Sequence, residues 1–182
     1  TGSDLYLKES ALDVDGTDDK GFVTGPITGS GDFTIEFQFQ TTDNGASAHR
    51  RVIGWTSNRL EMAIRNGVLV VYHSSGGWKV VSGGGYNDGN WHHVAAIKKG
   101  SDIKYYIDGA YTGMVTRSLN LSGTMYVGGP AGTLPADHHK GLVDEVRLWN
   151  YARSTSDVRS AMNGTVKCYA SGLVAYYDMQ FV

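Results

Sequence analysis

The 182-residue chain carries 16 basic and 18 acidic side chains, a formal net charge of −2. No run of Lys or Arg exceeds two residues, so the electrostatic footprint of a nucleic-acid or anionic-membrane partner is missing. Its 25 glycines, 11 tyrosines and only three prolines suit many strands joined by tight turns, not a collagen-like or disordered chain.

A chain of this length can bury well over half of its unfolded surface in one core. No apolar run is long enough to cross a membrane as a helix. The opening stretch TGSDLYLKE lacks the pattern of a signal peptide and reads as a mature or excised start. With a single cysteine, Cys168, an internal disulfide is ruled out, and that residue reads as a small buried hydrophobe.

Taken in chain order, the clearest element is DFTIEFQFQTT. Phe33, Ile35, Phe37 and Phe39 fall on one face, and Thr34, Glu36, Gln38 and Gln40 on the other. That period of two predicts a strand with one face in the core and one in water. Strand-like segments follow at RRVIGWTS, LEMAIRNG, VLVVYHSS, WKVVSGGG, HHVAAIKK, DIKYYIDG, TMYVGG, LVDEVRLWN and LVAYYDM, punctuated by NG, SGG, DGN and KGSD. Many short strands at this spacing predict an all-β sandwich or barrel. Only STSDVRSAMNG argues for a helix, with Ser154 or Ser156 as N-cap, Asp157 in the first turn and Asn163-Gly164 as a stop. No linker, repeat or composition shift divides residues 1–182, which read as one domain.

The ordered set ALDVDGTDD, FTIEFQFQ, DGNWHHVAAIKKGSDIKYYIDG, MYVGG, GLVDEVRLWNYARSTSDVRSAMNG and LVAYYDM resembles the concanavalin A-like jelly-roll superfamily, specifically laminin-G-like domains. The resemblance implies an antiparallel two-sheet jelly-roll β-sandwich with one short helix near the C-terminus. It also implies an extracellular or cell-surface protein. The ligand is left open, because this fold carries lectins, carbohydrate-binding modules, hydrolases and protein-adhesion modules.

Within that frame, Trp91-His92-His93 is the start of a core strand. Adjacent positions on a strand point to opposite faces, so His92 and His93 do not converge on one metal ion. Trp91 and Trp149 are expected to pack. Hydrolases of this fold need two carboxylates about 5 Å apart on one strand face. Here Glu36 is followed by Gln38 and Gln40, Glu61 by Ala63 and Arg65, and the neighbours Asp144 and Glu145 point oppositely, so no strand carries the pair.

The family further implies a structural calcium, with Asp144 as a carboxylate ligand completed by Asp15 and backbone carbonyls near Gly16. The alternative is that these aspartates cap turns through side-chain hydrogen bonds.

Sugar recognition needs aromatic faces for C–H patches together with amides, guanidiniums and carboxylates for hydroxyls. The stretch Arg50–Tyr86 supplies these, and the expected ligand-binding set is Trp55, Trp78, Arg51, Arg59, Asn58, His73 and Tyr86. Trp55 and Trp78 could equally serve packing. PADHHK, with Asp137, His138, His139 and Lys140, reads as a solvated turn before the last core strand. The expected partner is a glycan or glycoconjugate, bound without catalysis. A protein surface, in an adhesion module, and a purely structural spacer are the alternatives.

Overall fold

The computed structural model describes residues 11–44, 48–57, 60–74, 76–130, 137–162, 164, 166–167 and 169–179. Early in the chain come β1 (Leu12–Asp15), β2 (Gly21–Thr24) and β3 (Phe33–Gln40). A meander follows, with β4 (Arg50–Ser57), β5 (Leu60–Arg65), β6 (Val68–His73) and β7 (Gly77–Val80). Next are β8 (Trp91–Lys99), β9 (Asp102–Ile107), β10 (Ala110–Thr116) and β11 (Ser122–Val127). The chain closes with β12 (Lys140–Trp149), helix α1 (Thr155–Ala161) and β13 (Leu173–Tyr177).

These elements form the expected jelly-roll sandwich of two antiparallel sheets. Sheet A is seven-stranded in the order β1-β12-β3-β8-β9-β10, with β13 continuing the edge beside β12. Sheet B is six-stranded in the order β2-β11-β4-β5-β6-β7.

Two hairpins show how the turn residues set this path. Asn66-Gly67 joins β5 to β6 and Asp108-Gly109 joins β9 to β10, and all four residues have positive φ (52°, 69°, 50° and 72°). That is the backbone of a two-residue turn whose twist matches the flanking strands. The strands β1, β2 and β10 carry weaker patterns. In β10 a register shift between Tyr111 and Gly113 interrupts the alternation.

The core lies between the sheets. Phe33, Ile35, Phe37 and Phe39 all point into it, against Val94 and Ala96 of β8 and the inner faces of β4, β5 and β6. The other face of β3, expected to be wet, is covered. Thr34 and Glu36 are both 0% exposed, because the chain after β12 folds back over them. Thr34 Oγ1 donates to the Tyr151 carbonyl at 2.9 Å, and Gln38 Nε2 donates to the Met162 carbonyl at 2.8 Å. Glu36 accepts from Arg153 and lies 3.2 Å from Nε2 of His93. Burial alone would raise the Glu36 carboxyl, but the hydrogen bond from His93 and the Arg153 charge outweigh it and hold it below the usual range.

Arg153 also stands 4.1 Å over the ring of the buried Trp149. Arg147 donates to the carbonyls of Ala161 and Gly164 at 2.8 and 2.9 Å. Ser154 caps α1 by accepting from the Asp157 amide at 3.2 Å, and Val158 buries against Ala95, Ile97 and Tyr106. The outer face of sheet A is therefore covered by the protein itself over β3, while Lys104 of β9 and Tyr111 and Met114 of β10 stay exposed.

Trp55, expected to stack on a ligand, is 1% exposed and belongs to the core. Simple alternation would place Trp55 on the same face as Arg51. A register shift between Arg51 and Ile53 reverses the parity, so that Arg51 sits opposite Ala63 but Ile53 opposite Met62. His73 is likewise interior, with Nε2 3.0 Å from the Tyr105 hydroxyl. Asp137, His138 and His139 form no solvated turn either: His138 is 3% exposed and His139 0%, and Asp137 pairs with Arg51.

Two outcomes follow from this packing. Replacing a core indole by alanine leaves a cavity, so Trp55→Ala is expected to lose about 3–5 kcal/mol in denaturant titration. Trp78→Ala, at a half-buried ring, should lose far less.

Burial, and for His73 also the Arg117 charge, pushes both His73 and His139 down to about 4. Unfolded histidine titrates near 6.5. Between those values the unfolded chain takes up protons that the native state refuses. Stability present above pH ~6.5 is therefore lost as the pH falls towards ~4, with His139 contributing about 3 kcal/mol of that loss. Denaturation midpoints at pH 7.5 and pH 5 should differ accordingly, and His139→Gln should flatten the difference.

Candidate functional site

On sheet B the cross-strand partners Gly54, Glu61, Tyr72 and Trp78 stand in one row, on the face turned away from the core. At its far end Trp78 is half-buried and Tyr72 meets it edge-on, with centroids 5.5 Å apart. His49 lies in the chain just before β4, yet its imidazole stacks on the Trp78 indole at 4.0 Å and 14°. The chain entering β4 therefore reaches over the outer face towards the opposite edge of the sheet.

Arg51 stands beneath this cluster. Its guanidinium lies 5.4 Å from the Trp78 ring centroid, and Nε donates to Glu61 at 2.6 Å while Nη1 pairs with Asp137. Burial opposes the Arg51 charge, but Glu61 and Asp137 outweigh that and raise its basicity further. His49 is pushed down by burial and by the Arg65 and Arg51 charges, against a smaller pull from Asp137, which favours a neutral ring on the indole. Asp137 Oδ1 also accepts from the His49 amide at 3.3 Å. The result is a half-exposed aromatic platform held over a buried Arg51–Glu61–Asp137 network, with its polar groups fixed before any ligand arrives.

Of the expected ligand-binding set, only Trp78 and Arg51 meet here. Asn58 and Arg59 fall outside the described residues. Tyr86 packs against the core and meets the His92 ring edge-on at 5.1 Å, so it joins a different cluster. His49, Tyr72, Glu61 and Asp137 complete the platform. No local pattern around His49 indicates its contact with β7.

The two neighbouring histidines separate as alternation requires. His92 lies between Asp108 (2.9 Å) and Asp88 (3.1 Å), while His93 reaches Glu36 on the opposite face. Trp149 is buried as expected and Trp91 is half-buried.

The residues expected to hold calcium do not converge. Asp15 pairs in register with Lys140, which puts Asp144 four residues further along β12, about 13 Å away at strand rise. One ion whose ligands lie at roughly 2.3–2.6 Å cannot bridge that gap. The two aspartates instead serve their own turns: Asp15 Oδ1 accepts from the Thr17 amide and Asp144 Oδ1 from the Glu145 amide, both at 2.7 Å. Gly16, at φ 87°, packs on Lys140. Among the described residues, no group of three or more His, Cys, Asp and Glu is placed to hold a metal ion.

Comparison with known proteins agrees with this architecture. Human Pikachurin is 38% identical over 80 residues, which is 40% of this chain and 8% of that protein. The chain thus spans under a tenth of the length of the curated relatives it matches. A Bacteroides ovatus protein assigned to carbohydrate binding superposes with a TM-score of 0.72 at 17% identity, covering 93% of this chain and 52% of that one. Domain 4 of AbnA, an extracellular GH43 arabinanase of Geobacillus stearothermophilus solved with arabinotriose, gives 0.66 at 17% identity over 88% of this chain and 80% of that one. At such identities these structures share the fold. A family profile of laminin-G type, described as the concanavalin A-like lectin/glucanases superfamily, matches residues 15–159, and the chain belongs to that family.

Proposed function

We propose that the chain is a non-catalytic glycan-binding module of a secreted or cell-surface protein, and that it binds through the Trp78 platform. The observation that carries this reading is the half-exposed indole of Trp78, fixed by His49 and Tyr72 above the Arg51–Glu61–Asp137 network. Such a surface offers an apolar edge for sugar C–H groups and, at its margin, the part-exposed Asp137 carboxylate for hydroxyls. Two structural neighbours support it, one assigned to carbohydrate binding and one solved with arabinotriose, and the latter belongs to an extracellular enzyme.

A binding role is also what the carboxylates favour. Acid–base work needs a carboxyl that can reach the substrate and exchange a proton. Glu36 is sealed under Arg153 and His93, and Glu61 is 2% exposed and paired with Arg51. One platform of this size binds weakly, with a Kd from roughly millimolar to tens of micromolar, and repetition in a larger protein would supply avidity.

The test is a glycan array probed with the wild type and with Trp78→Ala and His49→Ala. Binding to defined sugars that falls tenfold or more in Trp78→Ala, with only a small drop in denaturation midpoint, is the expected result. A blank array from folded protein would instead direct the search to a protein-surface partner.

A further inference from the structure

The edge strands β7 of sheet B and β10 of sheet A come together at one end of the sandwich. Gly113 lets them meet: a Cβ there would lie 2.7 Å from the Val81 carbonyl oxygen. Alongside this contact, Lys79, Val80, Met114 and Arg117 line a cleft of about 480 Å³ between the two edges.

Sheet edges are usually guarded by charge, proline or a covering segment, because unpaired amides and carbonyls recruit other strands. β10, with the sequence AYTGMVT, has no charged residue and no proline, and none of its residues is buried. Tyr111 and Met114 stand 56% and 45% exposed on it. The Arg117 amide donates to the Ser101 carbonyl at 2.7 Å. Bonded and non-bonded pairs alternate along an antiparallel ladder, so Val115 turns its backbone groups to β9, and Met114 and Thr116 turn theirs outwards. That half of the edge is a template without a partner strand.

The cleft beside it is electrically one-sided, with two cations and no carboxylate in its lining. Val81 and Val115 pack on the core, and alternation puts Lys79 and Arg117 on those same inner sides. Arg117 reaches across to sheet B, where its guanidinium lies against Gly76 just before β7. Among the described residues no ion pair engages either cation. The neighbouring hydroxyls are already used: Thr112 donates to the Tyr105 carbonyl at 3.2 Å, Thr116 donates to Asp102 at 2.7 Å, and Ser82 accepts from the Leu69 amide at 2.7 Å. The two cations are what the cleft offers a ligand.

We infer that the free edge of β10 docks an extended acidic peptide of a protein partner, which adds a strand to sheet A. Inward side chains of that strand meet Lys79 and Arg117, and outward ones lie beside Met114 and Tyr111. Alternation therefore dictates the ligand's pattern, with carboxylates on one parity and apolar side chains on the other. Trp78 points to the outer face of sheet B, so this surface stands apart from the glycan reading.

Random displayed peptides of about ten residues, panned on the immobilised domain, are the probe. Enriched sequences should alternate Asp or Glu with Val, Ile or Tyr, and a synthetic copy should protect the Met114 and Thr116 amides from hydrogen exchange. Combining Lys79→Glu with Arg117→Glu should weaken binding about tenfold or more. Met114→Pro removes an amide that makes no ladder bond and should abolish binding. Trp78→Ala should leave it unchanged. Far-UV circular dichroism checks the fold of each variant, and the exchange pattern is read on the wild type, so it stands even where a variant does not fold. Enrichment without acidic alternation, protection located elsewhere, or binding indifferent to both edge variants overturns the inference. Heparin binding that needs both cations, with no peptide enriched, overturns it as well and reassigns the cleft to an anionic polysaccharide.

Discussion

A carboxylate sealed inside a protein must be paired, and the pairing of Glu36 decides which surface of this domain is free. Glu36 sits mid-strand in β3, on the face turned away from the core, where an unpartnered charge would carry a heavy desolvation cost. Arg153 and His93 satisfy it, and Arg153 comes from the chain that follows β12. Bringing that guanidinium to Glu36 draws residues 150–162 across β3 of sheet A. Thr34, Gln38 and Arg147 then bond the crossing chain at separate points. A short helix that would be marginal in isolation is held by these contacts and by its one buried side chain, Val158. With both inner faces in the core and the outer side of β3 covered, the exposed surface is that of sheet B, the rims and the outer side of β9 and β10.

Sheet B carries a second set of buried charges used in the opposite sense. The Arg51–Glu61–Asp137 network does not draw a covering segment over the whole face. It sets the level on which aromatic rings stand. Ion pairs buried this deeply are poor sources of net stability, because desolvation consumes most of the Coulomb gain. What they do provide is direction: the Arg51 guanidinium is fixed at two points, so the surface next to Trp78 has one arrangement. Fixed polar groups and stacked rings reduce the ordering cost that a weak ligand would otherwise have to overcome.

The sandwich was legible in the sequence because period-two patterning and turn chemistry are local. Phe33 to Gln40, Leu60 to Arg65 with its Asn-Gly turn, and Asp102 to Ile107 with its Asp-Gly turn each declare themselves. The functional face was only partly legible, for reasons that are not local. The parity of Trp55 depends on one extra residue between Arg51 and Ile53, and alternation counted without that bulge groups Trp55 with Arg51. The dryness of Thr34 and Glu36 depends on a segment more than a hundred residues away. His49 joins Trp78 because of how the chain enters β4, a tertiary path that no short pattern encodes. Asp15 and Asp144 could be placed on neighbouring strands from the family resemblance, but their separation is a matter of register.

Register also explains why a row of side chains running across strands makes a dependable ruler. Spacing along a strand varies with pleat and twist. Spacing across strands is fixed by backbone hydrogen bonds, each shared with the next strand. Phe22, Tyr126, Tyr72 and Trp78 therefore hold their distances without contacts among all four rings. Both ends of the row lie on edge strands, β2 and β7. Spacing set in this way belongs to the ladder and not to the rings, so replacing one ring leaves the positions of the others unchanged.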